Sequence, residues 1–132
     1  KEADIPRGGK YGDDEKGQII THVLGGSRNA HNIFSQNESV NGGGYNRFGS
    51  VISQELNELQ RCAGNASVTL RIDLHHQQSS GTPGYPLRPS DMRVSGTFSD
   101  GKVISGWFEN RYGVASSPGR SWRFSIGNRT YP

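Results

Sequence analysis

Alternation of apolar and polar residues in the second half of the chain restricts its fold more than any other feature. Residues 68–74 read Val-Thr-Leu-Arg-Ile-Asp-Leu, which places every second side chain on an apolar face. Residues 92–98 alternate in the same way, a Ser-Asp-Gly-Lys stretch has the chemistry of a hairpin turn, and an apolar segment returns at residues 103–108. A last alternating run begins at Trp122 and is expected to close an edge of the sheet. These segments predict antiparallel, half-buried strands.

One strong helical pattern precedes these strands. Ile52, Leu56 and Leu59 recur at helical spacing, and Gly64 supplies a C-terminal stop. Before the helix, the β-branched run at residues 18–24 is expected to be a strand that ends at two glycines. The order strand, loop, helix and then several strands predicts an α+β fold, with an antiparallel sheet and one main helix.

Length and composition predict one small domain with many loops. The 132 residues fit a single compact domain, and 19 of them are glycine. Residues 1–14 are expected to be an extended N-terminal arm, and residues 15–132 a single domain. Within it, residues 27–44 are predicted to be a polar loop held by a few apolar anchors, and residues 77–89 a long connection. No apolar run approaches the roughly 18 residues of a membrane-spanning helix.

The cysteine, tryptophan and charge content gives further expectations. The single cysteine, Cys62, excludes an internal disulfide and is expected to be buried. Trp107 and Trp122 lie on the alternating strands and are expected in the core. The net charge of +3 modestly favours polyanionic partners, without the dense basic patch of a dedicated nucleic-acid binder.

Three glycosylation sequons favour a secreted glycoprotein. They begin at Asn37, Asn65 and Asn128, and none has proline in the middle position. The chain begins at Lys1 rather than Met, which fits either removal of a leader or excision from a longer protein. Secretion is the prediction that follows.

The first half carries three motifs in register. Residues 15–21 read Glu-Lys-Gly-Gln-Ile-Ile-Thr, residues 32–37 read Asn-Ile-Phe-Ser-Gln-Asn, and Asn41 and Tyr45 follow. Together these motifs resemble the DNA/RNA non-specific endonuclease family. Members carry an Asp-x-Gly-His strand motif, an Asn-x-x-x-Gln segment and a magnesium-binding Asn nine residues beyond the first Asn of that segment. Asn32 and Asn41 stand nine residues apart here.

The resemblance covers residues 12–110, since Arg88-Pro89-Ser90 and the strands around Trp107 have counterparts in the smaller secreted or toxin-type branch of the family. It implies a ββα-metal, or His-Me finger, nuclease-like fold for this chain.

The resemblance also implies that the catalytic groups are missing. The general-base His of the family corresponds to Gln18, whose carboxamide cannot take a proton from water near neutral pH. The motif Asp corresponds to Glu15, and the helix carboxylate expected eight residues after Asn41 falls at Gly49. We expect a pseudoenzyme with no catalytic residue, metal or cofactor. His22 would replace the base only if the strand ended early and folded back, because four strand residues span about 13 Å.

A cleft without its base is suited to binding a polar ligand. On the family geometry it is lined by Gln18, Asn41, Tyr45 and Arg47, whose amide, phenol and guanidinium groups fit sugar hydroxyls. Asn41 is equally compatible with capping the following helix. An exposed tyrosine, with Tyr112 among the candidates, would cover the apolar face of a sugar ring. The exposed aromatic candidates are Tyr11, Tyr45, Tyr85 and Tyr112.

These expectations lead first to a secreted, lectin-like carbohydrate-binding protein that gains avidity as a homo-oligomer. The second hypothesis is a non-catalytic nucleic-acid or polyanion binder, and the third is a residual magnesium-dependent nuclease. The basic residues proposed for the second hypothesis are Lys10, Lys16, Arg28, Arg47 and Arg71.

Overall fold

The computed structural model describes residue 12 and residues 14–132 of the chain. Residues 1–11 and 13, and with them most of the predicted N-terminal arm, lie outside the described residues. Asp14, the last residue of that predicted arm, is only 2% exposed. Among the described helices, none is long and apolar enough to cross a membrane.

The described chain forms two antiparallel sheets and one main helix. Strands β1 (Glu15–Gln18) and β2 (Ile33–Gln36) pair with each other. They are followed by the short helix α1 (Glu38–Gly42) and the long helix α2 (Gly44–Ala63). The strands of the second sheet are β3 (Val68–His75), β4 (Asp91–Phe98), β5 (Val103–Glu109), β6 (Trp122–Ile126) and β7 (Arg129–Tyr131). The prediction of an α+β fold with antiparallel strands and one main helix is confirmed.

Helix α2 forms where the sequence predicts it. Phe48 and Ile52 are buried on its inner face, and Leu56 continues the apolar stripe. Gly64 follows the last turn with a φ of 77°, and its N–H donates to the carbonyl of Gln60 at 2.8 Å. A residue with positive φ at this place is a common helix end, and glycine adopts it without steric cost.

The five-stranded sheet is a meander in which each strand pairs with the next along the chain. Its inner face packs toward α2, and Val94, Ile104 and Phe124 on that face are at most 4% exposed. The alternating segments predicted as strands are strands. The run that begins at Trp122 does not form an edge, because β7 pairs with β6 and takes that position.

The hydrophobic core lies between α2 and the inner face of this sheet, where the rings of Phe48 and Phe108 are 5.5 Å apart. Trp122 is buried in this core, as predicted. Trp107 is half-buried and faces the opposite side of the sheet, because it adjoins Phe108 and successive strand residues point to opposite faces. Cys62 is exposed, because it lies in the last turn of α2, where residues 60–65 are all exposed. The expectations that Trp107 and Cys62 are buried are therefore wrong.

The segment between β1 and α2 is more ordered than predicted. Residues 27–44 contain β2 and α1 rather than a continuous loop. The predicted strand at residues 18–24 is also wrong, since β1 ends at Gln18 and His22–Leu24 form a 3₁₀ turn. The apolar anchors of this segment are buried as expected. They are Ile33, Phe34 and Val40.

A buried ion pair joins the β1–β2 hairpin to residues 77–89. Arg88 is fully buried, and its Nε and Nη2 donate to the two carboxylate oxygens of Asp14 at 2.6 and 2.9 Å. Its Nη1 donates to the carbonyl of Asn110 at 2.5 Å, and the hydroxyl of Ser35 donates to Asp14 at 2.7 Å. We call Asp14, Ser35, Arg88 and Asn110 the buried polar cluster. It fixes the hairpin against the end of β5.

Candidate functional site

A polar depression of about 300 Å³ lies between β1, the 3₁₀ turn and the beginning of α2. Three of the residues predicted to bind a ligand, Gln18, Asn41 and Tyr45, line it, whereas Arg47 and Tyr112 do not. Sequence reasoning missed Asn46 as a site residue, because its position only acquires meaning once the helix is known to begin at Gly44. The other residues that line the depression are Lys16, Thr21, His22, Val23 and Asn46.

The buried side chain of Asn32 folds the chain back after β1. Its Nδ2 donates to the carbonyls of Ile20 and Ser27 at 2.9 and 2.7 Å, and its Oδ1 accepts from the N–H of Ile20 at 2.8 Å. These bonds take the place of a strand partner and turn the backbone into the 3₁₀ segment. His22 consequently lies in the same depression as Gln18, although an extended strand would have separated them.

Gln18 ends β1 and is oriented by the loop that follows it. Its Nε2 donates to the carbonyl of Ser27 at 3.1 Å, the same carbonyl that accepts from Asn32. Among the described residues, none donates to the Gln18 side-chain oxygen. The amide therefore offers one acceptor to a ligand in the depression.

Asn41 lies across the depression, near the end of α1. Its Nδ2 donates to Oε1 of Glu15 on β1 at 3.0 Å. The residue before α2 is Gly43, which has no side chain to cap the helix, so Asn41 does not fill the capping role considered for it. The side chain that does cap a helix is that of Asn37, which accepts from the backbone of α1.

Tyr45 contributes its hydroxyl end, and its ring belongs to the core. The residue is 1% exposed, and its ring lies 5.1 Å from that of Phe108 in an edge-to-face arrangement. The hydroxyl donates to the carbonyl of Ile19 at 2.5 Å. Burial raises the pKa of Tyr45, so the phenol stays protonated at physiological pH. The expectation of an exposed stacking ring at Tyr45 is wrong.

The described residues Arg47, Tyr85 and Tyr112 do not converge on the depression. The guanidinium of Arg47 lies over the Tyr131 ring at 5.7 Å. Tyr112 lines a separate hollow beside residues 77–83, and Tyr85 is exposed on the connection between β3 and β4. Tyr11 lies outside the described residues.

The basic residues proposed for polyanion binding are similarly dispersed. Lys16 lines the depression, whereas Arg28 is an exposed loop residue and Arg71 lies on β3, paired with Asp73 at 3.1 Å. Lys10 lies outside the described residues. The basic side chains of this set that the structure describes therefore do not form one basic patch.

The residues at this site do not fit the magnesium ion that the family resemblance implies. Gly49 stands where the helix carboxylate is expected, and a Cβ there would lie 2.5 Å from the Thr21 hydroxyl and 3.3 Å from a methyl group of Val23. The 3₁₀ turn thus fills the space that a carboxylate would need. Within the described residues, no group of three or more His, Cys, Asp or Glu side chains is arranged to hold a metal ion.

The three sequons differ in accessibility. Asn37 is 6% exposed, and its Nδ2 donates to the carbonyls of Arg111 and Val114 at 3.0 and 2.9 Å, so the folded chain cannot carry a glycan on this nitrogen. Asn65 and Asn128 are exposed, in the α2–β3 and β6–β7 connections. In the folded protein, Asn37 is thus the least accessible of the three sequon asparagines.

Comparison of the chain with models of known protein families and with curated proteins finds no match.

Proposed function

We propose that this chain is a secreted, non-catalytic carbohydrate-binding protein and that neutral sugars bind in the polar depression. We further propose that β1, β2 and α2 are the ββα unit of a degenerate nuclease-like fold of the DNA/RNA non-specific endonuclease family. The observation that carries the proposal is the convergence of three carboxamides, those of Gln18, Asn41 and Asn46, on one polar hollow. Carboxamides both donate and accept, which matches the paired character of sugar hydroxyls.

The surroundings of the carboxamides support binding rather than catalysis. Gln18 stands where the family has its base, and the packing of Thr21 on Gly49 leaves no room for the metal-supporting carboxylate. The exposed sequons at Asn65 and Asn128 are consistent with a secreted glycoprotein. Because a single hollow of this kind gives few contacts, we propose that homo-oligomers supply avidity.

Binding of the purified protein to a panel of immobilised neutral glycans, followed by titration calorimetry with the strongest binder, tests this proposal. Gln18→Ala and Asn41→Ala are each expected to weaken binding by roughly threefold to tenfold, because each removes a hydrogen-bonding group. Gln54→Ala, an exposed site on α2, is the matched control and should bind normally. Absence of binding to every neutral glycan, or equal loss in Gln54→Ala, contradicts the proposal.

One observation favours a second candidate function, residual cleavage of nucleic acid. His22 lies in the depression with Gln18 and Asn41, and an imidazole can act as a general base near neutral pH. Plasmid nicking, with and without added magnesium, tests this candidate on the same preparation. Nicking by the unmodified protein that disappears in His22→Ala supports it, and no nicking by the unmodified protein excludes it.

A further inference from the structure

The outer face of the five-stranded sheet carries two arginines on either side of a tryptophan. Cross-strand pairing places Arg93 on β4 opposite Trp107 on β5, and Trp107 opposite Arg123 on β6. Neighbouring strands are about 4.8 Å apart, so the two arginine positions lie about 10 Å from each other across the tryptophan. All three residues line a shallow hollow of about 460 Å³.

The surroundings of Trp107 leave its ring accessible. Trp107 is half-buried, and the residues that complete the hollow around it are small, apart from the buried Phe124. The hydroxyls of Ser105 and Ser125 lie 3.0 Å apart beside it, and Thr130 pairs with Ser125 on the next strand. An aromatic ring bordered by hydroxyls offers both an apolar surface and hydrogen-bonding groups to a ligand.

The charges on this face leave one guanidinium uncompensated. Arg93 donates to Asp91 at 3.2 Å and is 56% exposed, so part of its donor capacity is used. Arg123 forms no ion pair with any described residue. The other charged residues on the outer face are Arg71 and Asp73, which pair with each other, and Glu109, which lies 4.0 Å from Arg111. The region around Trp107 is therefore suited to an anionic group.

We propose that this outer face is a second binding site, which binds an acidic oligosaccharide. The ring of Trp107 would pack against the apolar face of one sugar unit, while Arg93 and Arg123 bind carboxylate groups on either side. Arginine binds a carboxylate with two parallel hydrogen bonds, and the serine and threonine hydroxyls are placed to bind those of the sugar. The site is separate from the polar depression and does not depend on the function proposed for it.

A single-stranded nucleic acid also combines rings with negative charge, but this face fits it less well. Proteins that bind single strands stack successive bases on several aromatic side chains. Trp107 is the only aromatic residue that the described strands β3–β7 direct to the outer face.

Titration calorimetry with tetragalacturonate tests the proposal, with its methyl ester as a neutral ligand of the same backbone. We expect the free acid to bind at least tenfold more tightly than the ester. Trp107→Ala and Arg123→Gln should each weaken binding of the acid by about tenfold. Arg61→Gln, an exposed site on α2, removes the same charge elsewhere and should change binding less than twofold.

The outcomes separate this proposal from its alternatives. Equal weakening in Arg61→Gln and Arg123→Gln would show attraction to net charge only and overturn the proposal, as would equal binding of acid and ester. Tighter binding of oligothymidylate that displaces tetragalacturonate would assign the face to nucleic acid instead. Trp107→Ala also removes packing, so the exposed Arg123→Gln variant decides the result if Trp107→Ala unfolds. Gln18→Ala should bind tetragalacturonate with unchanged affinity. This result distinguishes failure of the outer-face proposal from failure of the proposal for the polar depression.

Discussion

The hairpin half, residues 14–63, and the sheet half, residues 68–131, position their candidate binding residues by different means. In the hairpin half, single polar side chains set the backbone, since Asn32 turns the chain after β1 and the buried polar cluster fixes the hairpin. In the sheet half, the regular pairing of strands aligns Arg93 with Trp107. A site of the first kind depends on a few buried contacts, whereas a site of the second kind depends on many equivalent ones.

Removal of the buried ion pair should have the largest effect on stability and should affect the hairpin half more than the sheet half. Arg88→Met leaves the carboxylate of Asp14 buried without its partner, and we expect a loss of about 3–5 kcal/mol in the free energy of unfolding, measured by urea denaturation. The exposed Arg61→Met should cost no more than about 0.5 kcal/mol.

The region that Arg88→Met destabilises is as informative as the size of the loss in stability. Hydrogen exchange in Arg88→Met should accelerate first in the hairpin half, with β4 and β5 protected longer. The double variant Asp14→Leu with Arg88→Met should recover part of the loss, because no charge is left buried alone. A loss below about 1 kcal/mol in Arg88→Met would contradict the assigned role of the pair.

A carboxylate at position 49 tests how tightly the hairpin half is packed around α2. Gly49→Glu forces a side chain into the contact with Thr21 and Val23, and we expect a loss of about 2–3 kcal/mol in thermal or urea denaturation. Gly42→Glu is the control, since a Cβ at Gly42 meets nothing within 4 Å.

Restoring both family residues should not restore catalysis. Gln18→His combined with Gly49→Glu should give no magnesium-dependent plasmid nicking, because the 3₁₀ turn occupies the place of the carboxylate. Nicking by this double variant would show that the depression can still form a metal site.

The smallest expected effect lies on the surface of the sheet half. Hydrogen bonding to the Lys102 side chain lowers the pKa of Asp100, and Lys102 also contacts Glu55 on α2 at 3.1 Å. A lowered pKa stabilises the fold above the usual titration range of Asp, and this stabilisation is lost as the pH falls through the folded-state value. Asp100→Asn should therefore lower the melting temperature slightly at pH 7 and not below that range. A pH-independent difference would contradict this account.

The sequence predicts the sheet half well because alternation reports directly on burial. The sequence also allows the outward position of Trp107 to be predicted. Trp107 and Phe108 are adjacent, and successive residues of one strand cannot both face the core. The exposure of Cys62 does not follow from such a pattern, because a residue three positions after Leu59 lies close to the same helix face; Cys62 is exposed because it lies in the last turn of α2.

The hairpin half is harder to predict because its burial is not apolar. All four residues of β2 are buried, including Ser35 and Gln36, so the strand shows no alternation. The burial of Ser35 depends on partners such as Asn110, which are distant in sequence and visible only in the fold. Gln18 and Asn41, which the resemblance assigns to one cleft, both line the polar depression, whereas Arg47 points elsewhere because it is two residues beyond Tyr45 on a helix.

The contact between Gly17 and Gln36 links the evolution of two positions. Gln36 is fully buried, and a Cβ at residue 17 would lie 2.2 Å from its side-chain oxygen. A relative that carries any larger residue at position 17 must therefore carry a smaller one at position 36 if it keeps this hairpin. The two positions should vary as a pair, and this pairing would identify divergent relatives whose overall similarity has been lost.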